Sequence, residues 1–303
     1  MKIVVDTTVK LPGGSGLREK LRLSLIGHGL STLGCQVQII GPFLKDEMAI
    51  HFQHLCKSTG NPDFTIQSAE SVGFHPRMQP IIAVKTSVGC DNDRQMLKTC
   101  RLLVAHEYNK SIEKHKRLLP VPFMVSHKMM QQFNGDGVFS CYMNDDIGTL
   151  REKYSSKTKS KTPTVGFWGF GEYDRKVRLR GAPEWVHADY SGELSIIEYI
   201  QKITECWACL NMSGDTPKSY RQSELALFGV VGVEPQCPIL STPRVTSENS
   251  IVMADWSDWM HVLGVLSDKA RVSQLQEGVM RAYLGGWSPI GQARQILSAI
   301  RAS

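Results

Sequence analysis

The 303-residue chain has no long hydrophobic run and no dense spacing of cysteines. No window approaches the roughly 20 consecutive apolar residues that a membrane-spanning helix requires, and the first residues lack the features of a secretory signal peptide. The eight cysteines are scattered, which excludes a small disulfide scaffold and favours reduced thiols. We therefore expect a soluble, cytoplasmic protein that does not contact membranes.

Metal-binding patterns are also scarce. Cys206 and Cys209 have the spacing of a redox or zinc motif, yet no second Cys or His pair lies at zinc-finger distance. Because residues 207–212 have the pattern of a buried strand, we predict that both thiols are buried and structural. Carboxylates are not clustered at ligand spacing, so we expect no firmly bound metal, although a loosely held Mg²⁺ would leave little trace.

The composition is that of an ordinary globular protein, with 42% hydrophobic and 21% charged residues. The length favours two lobes over one. The formal net charge of +6 makes polyanionic partners more plausible than average. Lysines concentrate in residues 110–116 and 153–161, where they also fit a solvated face or a linker.

The first part of the chain has the pattern of a βαβ unit. A short apolar run at 2–6 is followed by a glycine-rich loop at 11–16, an amphipathic stretch at 17–33 and a second strand at 36–40. The later predicted elements are strands at 80–85, 102–105 and 121–125 and helices at 96–99 and 107–117. Residues 46–75 give competing helix and strand signals.

A stretch rich in Lys, Ser and Thr, residues 154–163, lacks apolar periodicity and is predicted to be a linker. Residues 164–171 then repeat the opening of the first lobe, an apolar strand running into glycines. Further predicted elements are strands at 184–189, 207–211, 230–233 and 251–253 and helices at 193–205, 256–266, 271–284 and 289–301. We predict lobes at 1–156 and 157–286 and a C-terminal segment at 287–303.

Residues 214–229 are the most informative segment, because they predict a turn that enters a helix N-terminus. Unpaired N–H groups and a partial positive charge there stabilise phosphates. Arg221 can add a charge-assisted hydrogen bond, and Glu224, one turn later, can accept hydrogen bonds from both ribose hydroxyls. The alternative is that Ser219 only caps the helix and Glu224 lies in solvent.

The order of these segments resembles that of two-lobed glycosyltransferases of the GT-B architecture across nearly the whole chain. The segments that carry the resemblance are residues 12–16 and 33–40, 105–109 (Ala-His-Glu-Tyr-Asn), 165–169 (Val-Gly-Phe-Trp-Gly), 189–193, 210–213, 219–229 and Trp287 before the last helix. The resemblance implies an α/β fold with two Rossmann-like lobes that face a central cleft and a C-terminal helix that crosses back to the first lobe.

The resemblance further implies transfer of a sugar from a nucleoside diphosphate sugar, with a UDP-sugar favoured, by a monomeric enzyme. The residues it implies for donor binding are Gly14, Gly169, Arg175, Lys176, Tyr190, Ser219, Tyr220, Arg221 and Glu224. Many retaining members place another glutamate eight residues before the ribose-binding one. Thr216 stands there in this chain, and Asp215 is the nearby carboxylate that we assign to sugar binding.

An inverting enzyme also needs a base that takes the acceptor proton. Asp91 and Asp93 follow the strand at 80–85, at the edge of the sheet where ligands bind in open α/β folds. We prefer Asp91, with Asp93 as the second choice. The histidines that could replace them are His28, His51, His75 and His106. Retention or inversion stays open.

The acceptor is not encoded by a motif. A compact chain with net positive charge is similar to the phage enzymes that glycosylate modified bases in double-stranded DNA, and a non-nucleic acceptor is equally compatible. For DNA, the predicted phosphate contacts are Lys110, Lys114, Lys116, Arg117 and Lys128. The other functions considered are a sugar-nucleotide epimerase and a non-catalytic two-lobed protein that binds nucleotides or nucleic acid.

Overall fold

The structure is a computed structural model of the chain. It describes residues 1–7, 16–41, 60–69, 80–85, 92–106, 108–121, 129–133, 139–143, 163–169, 177–191, 194–212, 221–236 and 241–302. The chain divides into two compact units. The first contains Met1–Pro122, Ile239–Thr242 and Gly285–Ser303, and the second contains Phe123–Pro238 and Pro243–Leu284. The boundary predicted between residues 156 and 157 lies outside the described residues and stays a prediction.

The first unit is built on a parallel sheet of six strands in the order β2-β1-β3-β4-β5-β6. The strands are β1 (Lys2–Asp6), β2 (Gln36–Ile40), β3 (Phe64–Ser68), β4 (Ile81–Val84), β5 (Leu102–Ala105) and β6 (Leu118–Pro120). The central strands β3, β4 and β5 are buried along their whole length, as expected for a sheet covered by helices on both faces. The chain order reverses between β1 and β3, which makes this pair the topological switch point.

The C-terminal helix of the chain belongs to the first unit and packs against its first helix. The helices of this unit are α1 (Gly16–Thr32), α2 (Asp93–Thr99) and α7 (Pro289–Ala302), together with a single 3₁₀ turn at Lys110–Ile112. A Cβ atom placed on Gly29 of α1 would lie 2.2 Å from the carbonyl oxygen of Pro289. The absence of a side chain at Gly29 therefore lets α1 and α7 approach closely.

The second unit has a five-stranded parallel sheet in the order β10-β9-β11-β12-β13. The strands are β9 (Val165–Trp168), β10 (Val186–Asp189), β11 (Ala208–Leu210), β12 (Val231–Pro235) and β13 (Ser250–Met253). The helices are α3 (Ile196–Glu205), α4 (Arg221–Leu227), α5 (Trp259–Ser267) and α6 (Lys269–Ala282), followed by a π-helical turn at Tyr283–Trp287. The switch point of this sheet lies between β9 and β11.

An antiparallel pair, β7 (Met129–Phe133) and β8 (Phe139–Met143), also belongs to the second unit. Both this pair and β3 were missed in the sequence. The helix predicted at 107–117 is wrong, because the described residues there form only the 3₁₀ turn and irregular turns. The predicted burial of Cys206 and Cys209 is confirmed. Among the helices of the described segments, none is long and apolar enough to cross a membrane.

Candidate functional site

The carboxyl ends of β9 and β11 lie side by side at the switch point of the second sheet, where open α/β folds bind ligands. β9 ends at Trp168 and is followed by Gly169, whose N–H donates to the carbonyl oxygen of Asp189 at 3.0 Å. α4 begins at Arg221 and brings two ionisable side chains, Arg221 and Glu224, to this edge.

Arg221 is held against the end of β9 by one carbonyl and two rings. Its Nη2 donates a hydrogen bond to the carbonyl oxygen of Trp168. Its Cζ lies 4.7 Å from the centre of the Phe167 ring and 5.5 Å from that of Tyr199, within the range of cation–π attraction. Nη1 is buried and has no hydrogen-bond acceptor among the described residues. The guanidinium is thus fixed in place while one nitrogen can still donate.

Glu224 lies one turn further along α4 and is buried, with 7% of its surface exposed. The hydroxyl of Tyr199 donates to its Oε2 at 3.0 Å. Neither Glu224 nor Arg221 forms an ion pair with any residue that the structure describes. A carboxylate has two acceptor oxygens, so one tyrosine hydroxyl leaves most of its hydrogen-bonding capacity for another donor. The alternative that Glu224 lies in solvent is wrong.

The N-terminus of α3 determines where Tyr199 lies. Ser195 caps this helix by accepting from the N–H of Glu198 at 3.3 Å, and Oε2 of Glu198 accepts from the N–H of Ser195 at 2.9 Å. This reciprocal capping box satisfies two N–H groups that the helix itself cannot. These bonds lower the pKa of Glu198. Tyr199 directly follows Glu198, so the capping box fixes the position of Tyr199 in the first turn of α3.

Burial dominates the protonation behaviour of the pair that links α3 and α4. Burial raises the pKa of Glu224, an effect that the positive charge of Arg221 and the hydrogen bond from Tyr199 partly oppose. Burial also raises the pKa of Tyr199 well above its ordinary value. Desolvation disfavours the ionised form of the Glu224 carboxylate. A ligand that donates hydrogen bonds to this carboxylate would stabilise the ionised form.

Gly169 and Tyr190 complete this edge. A Cβ atom on Gly169 would lie 2.6 Å from Nη2 of Arg221, so the position has room for glycine alone unless the guanidinium moves. The rings of Tyr190 and Phe167 are in contact, with centroids 5.5 Å apart, and burial raises the pKa of Tyr190. The structure therefore brings together four of the predicted donor-binding residues: Gly169, Tyr190, Arg221 and Glu224.

Asp93, one of the two predicted bases, is fully engaged at the edge of the first sheet. Its Oδ1 pairs with Nζ of Lys85 at 2.9 Å, and its Oδ2 accepts from the N–H of Asn109 at 2.7 Å. Both charged side chains are almost completely buried. Proton transfer to Asp93 would have to break this ion pair, which favours a structural role. Asp91 lies outside the described residues, and the identity of the base stays a prediction.

Several other predicted residues lie outside the described residues: Gly14, Lys128, Arg175, Lys176, Asp215, Ser219 and Tyr220, together with His51 and His75. The four described candidates for DNA contact, Lys110, Lys114, Lys116 and Arg117, are all exposed on one short segment of the first unit. No group of His, Cys, Asp or Glu within the described segments is arranged to hold a metal ion.

Phe167 and Tyr199 were not predicted as site residues from the sequence. A signal for Tyr199 was present, because it precedes the buried residue Ile203 by four positions, which places both on one face of α3. A tyrosine in such a position normally directs its hydroxyl to a hydrogen-bond partner. Phe167 gave no comparable signal, since an aromatic residue inside a buried strand is ordinary core.

Comparison with solved structures finds similar folds that span nearly the full length of the chain. Anabaena HepE in complex with UDP and glucose matches with a TM-score of 0.55 and 12% identity, covering 100% of both chains. The lipopolysaccharide outer core galactosyltransferase WaaB in its apo form matches with a TM-score of 0.56 and 12% identity, covering 100% of this chain and 99% of WaaB. Sucrose-phosphate synthase from Thermosynechococcus elongatus matches with a TM-score of 0.50 and 12% identity, covering 99% and 98%.

No protein-family model matches the chain, and no curated protein matches its sequence. At 12% identity the structural matches establish the fold. The chain has the GT-B fold: two Rossmann-like α/β units, each with a parallel sheet, and a C-terminal helix that returns to the first unit. The fold class predicted from the sequence is confirmed.

Proposed function

We propose that the protein is a glycosyltransferase that takes its sugar from a nucleoside diphosphate sugar, and that the second unit binds this donor. The observation that carries the proposal is the pair of buried ionisable side chains, Arg221 and Glu224, at the β9/β11 switch point with hydrogen-bonding capacity left over. The fold shared with HepE and WaaB supports it. Because HepE binds UDP and UDP-glucose, a UDP-sugar is the donor we favour.

In the proposed reaction, the bond between the anomeric carbon and the diphosphate oxygen breaks, and the acceptor hydroxyl oxygen takes its place and loses a proton. Negative charge then accumulates on the leaving diphosphate. Arg221, the start of α4 and the basic residues Arg175 and Lys176 are proposed to stabilise that charge. Glu224 accepts hydrogen bonds from the ribose hydroxyls.

The remaining roles follow the sequence expectations. Tyr190 borders the nucleotide base, Gly14 and Gly169 permit close approach of the backbone, and Ser219 and Tyr220 present N–H groups to phosphate. Asp215 contacts the sugar. Asp91 is preferred to Asp93 as the base, because the Asp93 carboxylate is already engaged by Lys85 and Asn109.

For the acceptor, we propose a hydroxymethylated base in double-stranded DNA. Support comes from the net charge of +6 and from the exposure of Lys110, Lys114 and Lys116 on one segment. Such side chains would neutralise backbone phosphates and release counterions, so binding would weaken steeply as salt rises. The base itself would have to leave the stack to reach the donor.

The donor proposal is tested by thermal unfolding with a panel of nucleotide sugars, because a ligand that binds only the folded state raises the melting temperature. We expect stabilisation by UDP and by at least one UDP-sugar, lost in Glu224→Gln and retained in Glu205→Gln. Glu205 is an exposed carboxylate at the end of α3 and is the matched control. Absence of stabilisation by every nucleotide sugar in the panel would contradict the proposal.

The acceptor proposal is tested separately by duplex binding at low and high salt. We expect replacement of Lys110, Lys114 and Lys116 by Gln to weaken binding and to reduce its salt dependence. The control removes the same charge from exposed positions of the second unit: Lys202, Lys269 and Arg281. If both triple variants lose binding equally, or the unaltered protein fails to bind duplex at low salt, the DNA acceptor is wrong.

A further inference from the structure

α2 and the segment 108–118 lie side by side on one face of the first unit. The N–H of Asn109 donates to Oδ2 of Asp93, the first residue of α2, at 2.7 Å. Nη1 of Arg117 donates to the carbonyl oxygen of Leu97, in the last turn of α2, at 3.3 Å. The apolar residues that both segments bury in one cluster include Leu97, Cys100, Tyr108, Ile112 and Leu118. The two segments therefore form a single continuous surface.

This surface extends from the carboxyl edge to the amino edge of the first sheet. At one end, Asp93 pairs with Lys85, which directly follows β4. At the other end, Arg101 directly precedes β5 and Arg117 directly precedes β6. Because these strands are parallel, the two ends are separated by the length of a strand of four residues, about 13 Å. The surface can thus follow an extended ligand.

The exposed side of this surface is almost entirely basic. Residues 92–101 and 108–117 contain seven basic and two acidic residues, so they account for most of the formal net charge of +6. Of the two acidic side chains, Asp93 is buried in its ion pair and Glu113 is half-buried. The exposed basic residues, which we call the basic strip, are Arg94, Lys98, Arg101, Lys110, Lys114, Lys116 and Arg117.

Most charges of the basic strip have no ion-pair partner among the residues that the structure describes. Arg94 and Lys98 lie four residues apart on α2, a spacing at which like charges repel each other and destabilise a helix. Neither forms an ion pair with a described residue, and the same holds for the three lysines between 110 and 116. A bound polyanion would relieve this repulsion, because it supplies negative charges along the whole strip.

The uncharged side chains exposed on the same two segments favour one kind of polyanion over another. They include Asn92, Gln95, Thr99, Asn109 and Ser111, all of which can form hydrogen bonds with phosphate oxygens. None of the exposed large hydrophobic residues in the described part of the chain lies on these segments. A helix that binds a membrane surface buries apolar side chains among the lipids, so the basic strip fits the backbone of a nucleic acid better than a lipid surface.

We propose that the entire basic strip, including its part on α2, holds the phosphate backbone of a DNA duplex. Arg94, Lys98 and Arg101 then contact phosphates in addition to those assigned to the 110–117 segment. The inference rests on the proposed DNA acceptor, and it adds a second row of contacts and a direction from the carboxyl edge to the amino edge. Phosphates follow one another at about 3.4 Å per strand along the duplex axis, so a strip of about 13 Å faces about four phosphates on each strand.

The test is the salt dependence of duplex binding by the full chain, measured without a sugar donor. Each lost phosphate contact reduces the slope of log K against log salt by about 0.9. Arg94→Gln, Lys98→Gln and Arg101→Gln together are therefore expected to reduce it by about 3, and the first two alone by about 2. The double variant leaves Arg101 over the ring of Phe64, so it serves where the triple variant fails to fold.

The matched control removes three charges from exposed positions of the first unit outside the basic strip: Lys2, Arg294 and Arg301. We expect the slope of this variant to stay nearly unchanged. An equal reduction in the control and the α2 variant would overturn the inference, because the effect would then follow the net charge. Tight, α2-dependent binding to vesicles of phosphatidylserine and phosphatidylcholine, with weak binding to the duplex, would also overturn it.

The inference and the proposed function can fail separately. If the α2 variants bind duplex as the unaltered protein does, while replacement of Lys110, Lys114 and Lys116 weakens binding, the extended strip is wrong and the DNA acceptor stands. If the α2 variants lose the expected slope but the unaltered protein transfers no sugar to DNA, the strip stands and the proposed acceptor fails. A protein that does not bind duplex at low salt contradicts both.

Discussion

At the carboxyl edge of the first sheet, Lys85 and Asp93 bury their charges as an ion pair, and a backbone N–H satisfies the second oxygen of Asp93. At the carboxyl edge of the second sheet, Arg221 and Glu224 are close enough to influence each other electrostatically. There the arginine is held by a carbonyl and aromatic rings, and the glutamate by a tyrosine hydroxyl. Among the described residues, the first edge pairs its charges and the second does not.

This difference separates structural charges from charges that are available to a ligand. A buried carboxylate whose two oxygens already accept from an ammonium and a backbone N–H gains little from a bound molecule. A buried carboxylate with a raised pKa and one hydrogen bond is stabilised when further donors arrive. Buried charges at equivalent edges of the two parallel sheets can thus have different roles, one structural and the other in ligand binding.

The largest expected effect is on stability at the paired edge. Asp93→Asn leaves the Lys85 ammonium buried without its counterion, and loss of one partner of a buried ion pair costs about 3–5 kcal/mol. Chemical denaturation should show this loss, and Glu113→Gln, a carboxylate of the same unit that forms no ion pair with a described residue, should leave the free energy of unfolding nearly unchanged. If Asp93→Asn is as stable as the unaltered protein, Asp93 is not a structural partner of Lys85.

At the edge of the second sheet, the corresponding substitution, Glu224→Gln, should preserve the stability of the protein and weaken the binding of UDP. Because burial raises the pKa of Glu224, the folded state favours its protonated form, and the free energy of unfolding falls as pH rises through that raised pKa. Glu224→Gln removes this cost at neutral pH, so the melting temperature should stay or rise. The affinity for UDP, measured by calorimetry, should fall about 10- to 100-fold, as for the loss of hydrogen bonds to a charged group.

A smaller effect is expected at Tyr199. Its hydrogen bond lowers the pKa of Glu224, so Tyr199→Phe should raise that pKa further. UDP binding requires the ionised carboxylate and is lost as pH falls through the pKa of Glu224; in Tyr199→Phe this loss should occur at higher pH. The comparison is a series of UDP dissociation constants across pH for both proteins, and identical pH profiles would show that Tyr199 does not act on Glu224.

The smallest expected effect is at the cap of α3. Ser195→Ala should cost about 1 kcal/mol of stability, as for other N-caps. The pKa of Glu198 is lowered by its bonds to Ser195, so the reciprocal part of the capping box contributes above the ordinary pKa of a glutamate and is lost as pH falls through the lowered value. Ser273→Ala, at an exposed position of α6, is the control.

Much of the fold could be predicted because its elements carry local signals. β4, β5 and β13 are short apolar runs, and α3 has both an N-cap and an apolar face. β3 was not predicted because Thr65, Gln67 and Ser68 give the segment a polar sequence. All five of its residues are nevertheless buried, and the strand lies between β1 and β4. The sheet context, which a single sequence does not contain, overrides its weak local preference.

The candidate site was predicted in part, for the same reason. Arg221 and Glu224 share one short helix, so sequence spacing alone places them together. The partners that hold them, Trp168, Phe167 and Tyr199, come from other elements and are brought close by the order of strands. Likewise, the proximity of Asp93 to the strand end at Lys85 was visible in the sequence, but their pairing depends on side-chain directions at the sheet edge.

The central claim, that the unpaired edge of the second sheet binds the nucleotide, is tested most directly by hydrogen exchange of the full chain with and without UDP. We predict protection of residues 165–169, 208–212 and 221–229, and loss of that protection in Glu224→Gln at the same UDP concentration. Protection confined to residues 81–85 and 102–109 of the first unit, or no protection in either unit at saturating UDP, would contradict the account.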